Sequence, residues 1–444
     1  MRIGILGSGG AGITAAWLLD GRHQVTVLER NAVLGGHAHT TRVEIDGAVH
    51  YADDGFSWFS DVLYPNYMRL LELTGVPTRI VKMSASFTQV RTGSRTLVLP
   101  PRGVGGLLRT VLHLPTLRDL LQLNRAIGLA EPLVHGHDRL VSWGEFIRKH
   151  QFPEPFCRDL LTPMVAGVWG GPYERIEDFS AYTLMKYLVF HRPSSLARYK
   201  WHVVRDGAAS YIAQVAAQLP QTTLLTNAAA VQLRRQGLEW HVTDATGREH
   251  VFDRIVCAMG SRDAQNLLRD AAGLEQTKAV LGRFEYYTAK LATHSDPSFM
   301  PPRRQDWQIA NIRADGDRAN LTVWTDAHRG GHVFTSYVEN REPEHCHNLS
   351  TFQLPLITPG HYRAQDELAA RQGSDGLYFV GDWTRDIGCH EDAVVSAIQA
   401  VRALDPQAPR LAALAAPRLH PAMRPLPPNP ALLSHTQPAG GQGD

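Results

Sequence analysis

The chain opens on an apolar run, Ile3-Gly4-Ile5-Leu6, which suits a strand buried on both faces. Glycines from Gly7 to Gly12 interrupt it, and Ile13 to Leu19, rich in Ala and Leu, predicts a helix. Gln24-Val25-Thr26-Val27-Leu28 predicts the next strand, so the start reads as a βαβ unit. From about Pro77 to Trp201 the pattern turns helical, with Leu-rich segments at Leu117 to Leu133 and Val141 to His150. Strand patterns return at 223–225, 231–233, 240–243 and 252–258. The region from Leu281 to Arg363 reads as a second sheet, with runs such as Asn320 to Thr325 and Val333 to Val338. Gly376 to Asp382 predicts a strand ending in a Gly-Asp turn, and Glu391 to Leu404 a helix. Beyond Asp405 the chain is rich in Pro and Ala, which predicts a disordered tail.

Composition narrows the picture modestly. A length of 444 residues exceeds what one core usually serves, so two interleaved domains are expected. A net charge of +2 without a basic stripe gives no reason to expect a nucleic-acid partner. Cys157, Cys257, Cys346 and Cys389 are widely spaced, which suggests neither a metal site nor a disulfide framework and fits a cytoplasmic protein. Ile3 to Leu19 is apolar, but it is glycine-broken, lacks a cleavage site and is short for a span; no transmembrane helix is expected.

Gly7-Ser8-Gly9-Gly10-Ala11-Gly12 fits the G-x-G-x-x-G pattern. Its glycines serve a tight turn, close backbone approach to a pyrophosphate, and helix–strand packing. The helix that follows aims N–H groups at the phosphates, and Glu29, with Arg30 beside it, ends the second strand where an acid bonds ribose hydroxyls. Three further features favour FAD over NAD. Gly35-Gly36-His37 lets the chain run under a second part of the cofactor. Gly55-Phe56, after Asp53-Asp54, would bring backbone to the flavin ring. Gly381-Asp382 precedes a helix whose positive end would face the flavin O2. A plain strand-end turn with a helix cap is the bland alternative for Gly381-Asp382.

These blocks resemble the flavin-containing amine oxidoreductase superfamily, which includes monoamine and polyamine oxidases, phytoene desaturases and protoporphyrinogen oxidases. Asp54-Gly55-Phe56 with Tyr64-Pro65-Asn66, His294-Ser295-Asp296 with Met300-Pro301 and Arg303-Arg304, and His390-Glu391-Asp392 with Ser396 resemble a bacterial branch described as predicted NAD/FAD-binding proteins. The resemblance implies an α/β fold with a discontinuous Rossmann-like FAD-binding domain (1–76, 202–272 and 373–405) and an amine-oxidase-like α+β substrate domain (77–201 and 273–372). Residues 406–444 form the tail. It also implies that Val231 contacts the adenine end through its backbone, and that Glu391, Asp392 and Ala393 lie at the flavin. Amine oxidases commonly hold an aromatic residue two places before that Glu; here it is Cys389. His37 stands where the superfamily often has Arg.

The flavin accepts the hydride, so the protein must bind, orient and tune. Candidate catalytic residues are Lys290, His294, His390 and Glu391. Lys290 is included because related oxidases often place a lysine near flavin N5; a solvated strand residue is its alternative, and a satisfied core histidine is that of His294. Gly103-Val104-Gly105-Gly106 lacks the strand–helix context of a second dinucleotide motif. The Leu-rich run Gly106 to Leu112, with Arg109, and the segment Leu117 to Leu123 suggest an apolar substrate or peripheral membrane contact; core helices are the alternative. The leading reading is dehydrogenation or desaturation of an apolar lipid-like or natural-product molecule. Isomerisation of an unsaturated acyl chain, amine oxidation and a non-catalytic flavin-binding role stand beside it.

Overall fold

Short apolar strands pair in parallel to build the centre of one unit of the computed structural model. That model describes residues 1–416 apart from 46, 91–94, 102–107, 109–111, 193–198, 316–317, 326, 328–329 and 339–340. The Gly103-Val104-Gly105-Gly106 turn, the run from Gly106 to Leu112 other than Leu108 and Leu112, and the tail from 417 lie outside the described residues. Two compact units divide the chain: Met1–Leu34, Val215–Phe284 and Gly360–Asp444 form the first, and Gly35–Gln214 with Glu285–Pro359 the second.

In the first unit, strands Thr222–Leu225, Gln24–Leu28, Arg2–Leu6, Arg254–Cys257 and Leu377–Phe379 lie in that order, all parallel. Ile3, Ile5 and Leu6 are fully buried, as their unbroken apolar pattern requires. The helix Gly10–Leu19 is buried at every position and packs against the closing helix His390–Leu404. An antiparallel sheet of Ala230–Gln236, Glu239–Asp244 and Glu249–Phe252 completes this unit's strands. The run 252–258, which reads as one strand, is two: the chain turns at Asp253 and changes sheet. Asp253 anchors that change, since its N–H bonds the Arg2 carbonyl and its carboxylate accepts from the Arg2 N–H at 2.8 Å.

The expected disorder from 406 fails for residues 406–416. Leu411 and Leu414 are buried, and Arg410 donates to the Trp17 carbonyl at 2.8 Å with its guanidinium 4.9 Å from the Trp17 ring. Leucines three apart in the short helix Leu411–Leu414 bury one face despite the Pro/Ala-rich context.

The second unit centres on a seven-stranded sheet in the order Cys346–Pro355, Tyr286–His294, Phe334–Tyr337, Ala319–Trp324, Ala310–Ala314, Ala85–Gln89, Arg95–Leu99. Its last two strands come from the stretch that reads as mostly helical. Ala85–Gln89 pairs in parallel with Ala310–Ala314, a contact over 200 residues apart in sequence that no local pattern announces. The predicted helices are present as Leu114–His135 and Trp143–His150. The latter starts on a capping box between Ser142 and Glu145. Among the described residues, no helix is long and apolar enough to cross a membrane.

Candidate functional site

The first unit gathers its candidate residues at the carboxyl ends of the parallel strands. The helix after Arg2–Leu6 leads back to Gln24–Leu28 on one side, while Arg254–Cys257 lies on the other. The crevice between them is where open α/β sheets bind ligands. The two backbones almost touch there. A Cβ on Gly7, whose φ is +109°, would sit 2.5 Å from the Ala258 carbonyl oxygen, and one on Gly12 would sit 2.0 Å from the Gly7 oxygen. Ser8 donates to the Glu29 carboxylate from both its N–H (3.0 Å) and its hydroxyl (2.6 Å), and Asn31 N–H donates to the other oxygen at 2.8 Å. Glu29 is thus buried and aimed at the turn. Arg30 points out to Asp263 at 3.3 Å. Gly9 and Ala11 complete the turn into the helix, which begins at Gly10.

Val231 is the extra residue of a β-bulge: Ala230 faces Asp244 and Gln232 faces Thr243, which leaves Val231 unopposed and exposed. A bulge frees backbone groups from the ladder, as contact through main chain requires. At the far end of the sheet, Gly381 N–H donates to Ser396 Oγ of the closing helix at 2.9 Å. Asp382 accepts from the Trp383 N–H, and the Trp383 indole N–H reaches the Met259 carbonyl at 3.0 Å.

The closing helix starts at His390. Asp392 Oδ2 accepts from the Cys389 N–H at 3.0 Å and from its thiol at 3.2 Å, and Asp392 Oδ1 lies 3.4 Å from Arg385. Glu391, Asp392 and Ala393 are buried; His390 is half-buried. Burial opposes the charge on Arg385, but Asp392, Asp386 and Glu391 outweigh it and raise its pKa. Sequence reasoning passed over Arg385; Arg-Asp just before Gly388-Cys389 was the available signal.

In the second unit, Gly35 and Gly36 both adopt positive φ (132° and 55°), and the turn closes with Ala38 N–H on the Gly35 carbonyl. The His37 ring meets Phe352 edge-on at 5.1 Å, and a Cβ on Gly55 would fall 2.2 Å from the His37 oxygen. Phe56 joins an aromatic group: Phe59 stacks at 6.0 Å, with Tyr64 at 5.8 Å and Tyr67 edge-on at 5.4 Å. The Tyr64 and Tyr187 hydroxyls bond each other. Asp53 and Thr40 cap the helix Ala208–Ala216 through the Ala208 and Ala209 N–H groups. Asp54, which the sequence places in a block but gives no role, is buried and accepts five hydrogen bonds.

Two catalytic candidates take ordinary positions. Lys290 alternates outward with Thr288, opposite the buried Ala289 and Leu291, the setting of a solvated strand residue. His294 is fully buried in the sheet. Its Nδ1 accepts from the Asp296 N–H at 3.1 Å, so Nε2 carries the proton and donates to Ser336 Oγ at 2.8 Å. Both nitrogens serve the fold, and His294 is corrected from catalytic candidate to core histidine. Burial pushes it down to about 4, against the pull of Asp296. The unfolded chain therefore binds the extra proton between about pH 6.5 and 4, and stability from this group falls as pH drops through that window. Unfolding at pH 5 is expected to cost about 2 kcal/mol less than at pH 7 on this account. Denaturant titrations of wild type and His294→Gln at both pH values check it; identical pH-dependent losses in the two would overturn it.

A parallel sheet with a glycine cradle at its switch point, a buried acid beside it and a far-end Gly-Asp turn define a dinucleotide-binding flavoprotein fold. The model of the flavin containing amine oxidoreductase family matches residues 11–346, most of the chain. The chain belongs to that family, and its cofactor is FAD. Three solved structures are similar to it. A putative protoporphyrinogen oxidase from Exiguobacterium sp. 255-15 has a TM-score of 0.65 at 16% identity, over 91% of this chain and 99% of that one. A CLA-producing fatty acid isomerase from P. acnes has 0.68 at 15%, over 91% and 98%. Cyclohexylamine oxidase from Brevibacterium oxydans IH-35A has 0.63 at 16%, over 91% and 99%. At these identities the likeness establishes the fold. No curated protein sequence matches the chain. The residues present fit the dinucleotide: Gly7 and Gly12 allow a strand-to-helix turn too tight for any Cβ, and the buried Glu29 carboxylate lies beside that turn, where it would meet a ribose.

Proposed function

We propose that this chain dehydrogenates an apolar, lipid-like or natural-product substrate. FAD, when bound, supplies the two-electron acceptor, taking a hydride at flavin N5. The observation that carries the reading is Cys389. Where amine oxidases commonly present an aromatic wall to the amine, this residue's thiol is turned into the helix cap, bonded to Asp392. That removes one face of an aromatic cage and weakens cation recognition there. The half-buried imidazole of His390, at the first position of the closing helix, takes the proton that leaves the carbon next to the hydride donor. Glu391, buried beside it, orients that turn. Peripheral membrane contact and a cytoplasmic location belong to the same reading.

A second reading is isomerisation, in which the hydride returns to the substrate. The similar fatty acid isomerase makes acyl chains the natural first probes. The test is anaerobic mixing of holoenzyme with long-chain fatty acids, their phospholipids and primary amines, followed by flavin absorbance and product mass. Bleaching by an apolar substrate is the expected result. Product formation with the flavin still oxidised selects isomerisation. Bleaching by amines alone would sink the proposal.

A further inference from the structure

Thirteen large apolar side chains are exposed among the described residues, and four of them, Leu108, Leu112, Leu114 and Leu121, fall within one short stretch. Their exposures run from 53% to 77%. Two sit on the long helix Leu114–His135, which already has a core face in Leu123, Ala126, Ile127, Ala130 and Val134. An ordinary amphipathic helix would carry polar residues opposite that face. Here Leu114, Arg118, Leu121 and Arg125 follow one another at spacings of four and three, a leucine–arginine stripe turned to solvent. Arg118 is exposed and makes no ion pair among the described residues. Arg125 donates to the His150 carbonyl at 2.9 Å, which brings the exposed Lys149 of the next helix beside the stripe. The acids of the long helix are Asp119 and Glu131, and Glu131 is ion-paired with Arg192.

We infer that this stripe is a docking surface for an anionic lipid bilayer. Exposed leucines lose water by entering the acyl boundary, and arginines beside them meet lipid phosphates, the two terms that drive interfacial helix binding. A second copy of the chain fits less well. A two-fold contact through this face would set the arginines of one copy against those of the other. The inference rests on the peripheral membrane contact of the proposed function and gives it a place; since no substrate turns over in the binding event, its failure is distinguishable from failure of the proposed reaction.

The experiment is co-sedimentation of the FAD-loaded protein with two kinds of vesicle: phosphatidylcholine mixed with phosphatidylglycerol, and phosphatidylcholine alone. Wild type is expected to pellet with the anionic vesicles, less so at high salt. A triple variant, Leu112→Ser with Leu114→Ser and Leu121→Ser, should bind them at least about tenfold more weakly. Arg118→Glu should weaken binding to the anionic vesicles and leave the neutral ones unaffected. Leu238→Ser, at an 80% exposed leucine elsewhere, is the control and should match wild type. All five positions are exposed, and retained flavin absorbance verifies each fold. Wild type that stays in the supernatant, or a triple variant that pellets like wild type, overturns the inference. So does a wild-type dimer in light scattering that the triple variant reduces to monomer, which would make the stripe a protein interface.

Discussion

Gly12→Ala is expected to yield a protein that purifies without flavin. The added methyl would lie 2.0 Å from the Gly7 carbonyl oxygen, 3.0 Å from its carbon and 3.1 Å from the Ala258 Cβ. Real carbon–oxygen contacts begin more than an ångström further out, and the obstacle is the Gly7 backbone, with the Ala258 methyl close behind it. Helix and strand must therefore separate, and Gly7 cannot rotate to help because Ala258 already sits against it. Overpacking of this kind costs about 1–3 kcal/mol in stability. The larger effect is on the cofactor, because the separated helix no longer aims its first N–H groups at the pyrophosphate. Flavin content, read as the visible absorbance per polypeptide, should fall to less than about a tenth of wild type, a loss of about 1.4 kcal/mol or more in binding. Near-stoichiometric flavin in a folded Gly12→Ala protein would mean the cradle is not where the dinucleotide sits.

That cradle was the most legible part of the molecule. Gly7 to Gly12 and Glu29 are local in sequence, and each glycine answers to a steric demand that survives without knowledge of the rest of the fold. The closing strand and helix were legible for the same reason: Leu377–Phe379 and His390–Leu404 are short, strongly patterned elements. The seven-stranded sheet was legible only in part, because Ala85–Gln89 and Arg95–Leu99 owe their pairing to a distant partner. Side-chain roles were least legible. Lys290 and His294 lie four apart on one strand and so share a face of the sheet, yet Lys290 is exposed and His294 is buried. A residue-type argument cannot know how far along the strand that face is covered. Asp54 was hidden more deeply, since its donors come from three separate strand regions and none has a motif.

Asp54→Ala is expected to destabilise the second unit by about 3–5 kcal/mol, the cost of stripping one partner from a buried charged network. The carboxylate has no exposed surface. Its Oδ1 accepts from Thr293 Oγ1 at 2.6 Å, and its Oδ2 from His39 Nδ1, Thr41 Oγ1 and Asn348 Nδ2 at 2.8 Å and from Ser350 Oγ at 3.0 Å. Alanine leaves those donors facing a void. Asn, the isosteric change, keeps one acceptor but turns an amide N–H₂ toward the rest, so Asp54→Asn should cost less than alanine and still at least about 1.5 kcal/mol. Burial alone would raise the Asp54 pKa, yet the bonds from His39, Thr293, Thr41 and Ser350 prevail and hold it below the ordinary carboxylate range. A depressed carboxylate stabilises the fold above its unfolded pKa and loses that contribution as pH falls through the folded value, so the alanine penalty should shrink in acid. His39 reports the same pairing from the other side. Its hydrogen bond to Asp54 raises its pKa against the effect of burial, and in Asp54→Asn the imidazole should titrate lower. The penalty and its pH dependence are read from denaturant unfolding, and the His39 shift from its ring proton resonances. An Asp54→Ala protein within about 1 kcal/mol of wild type at neutral pH would show that the five donors find other partners, and that the segment leading into Gly55-Phe56 is held by something other than this carboxylate.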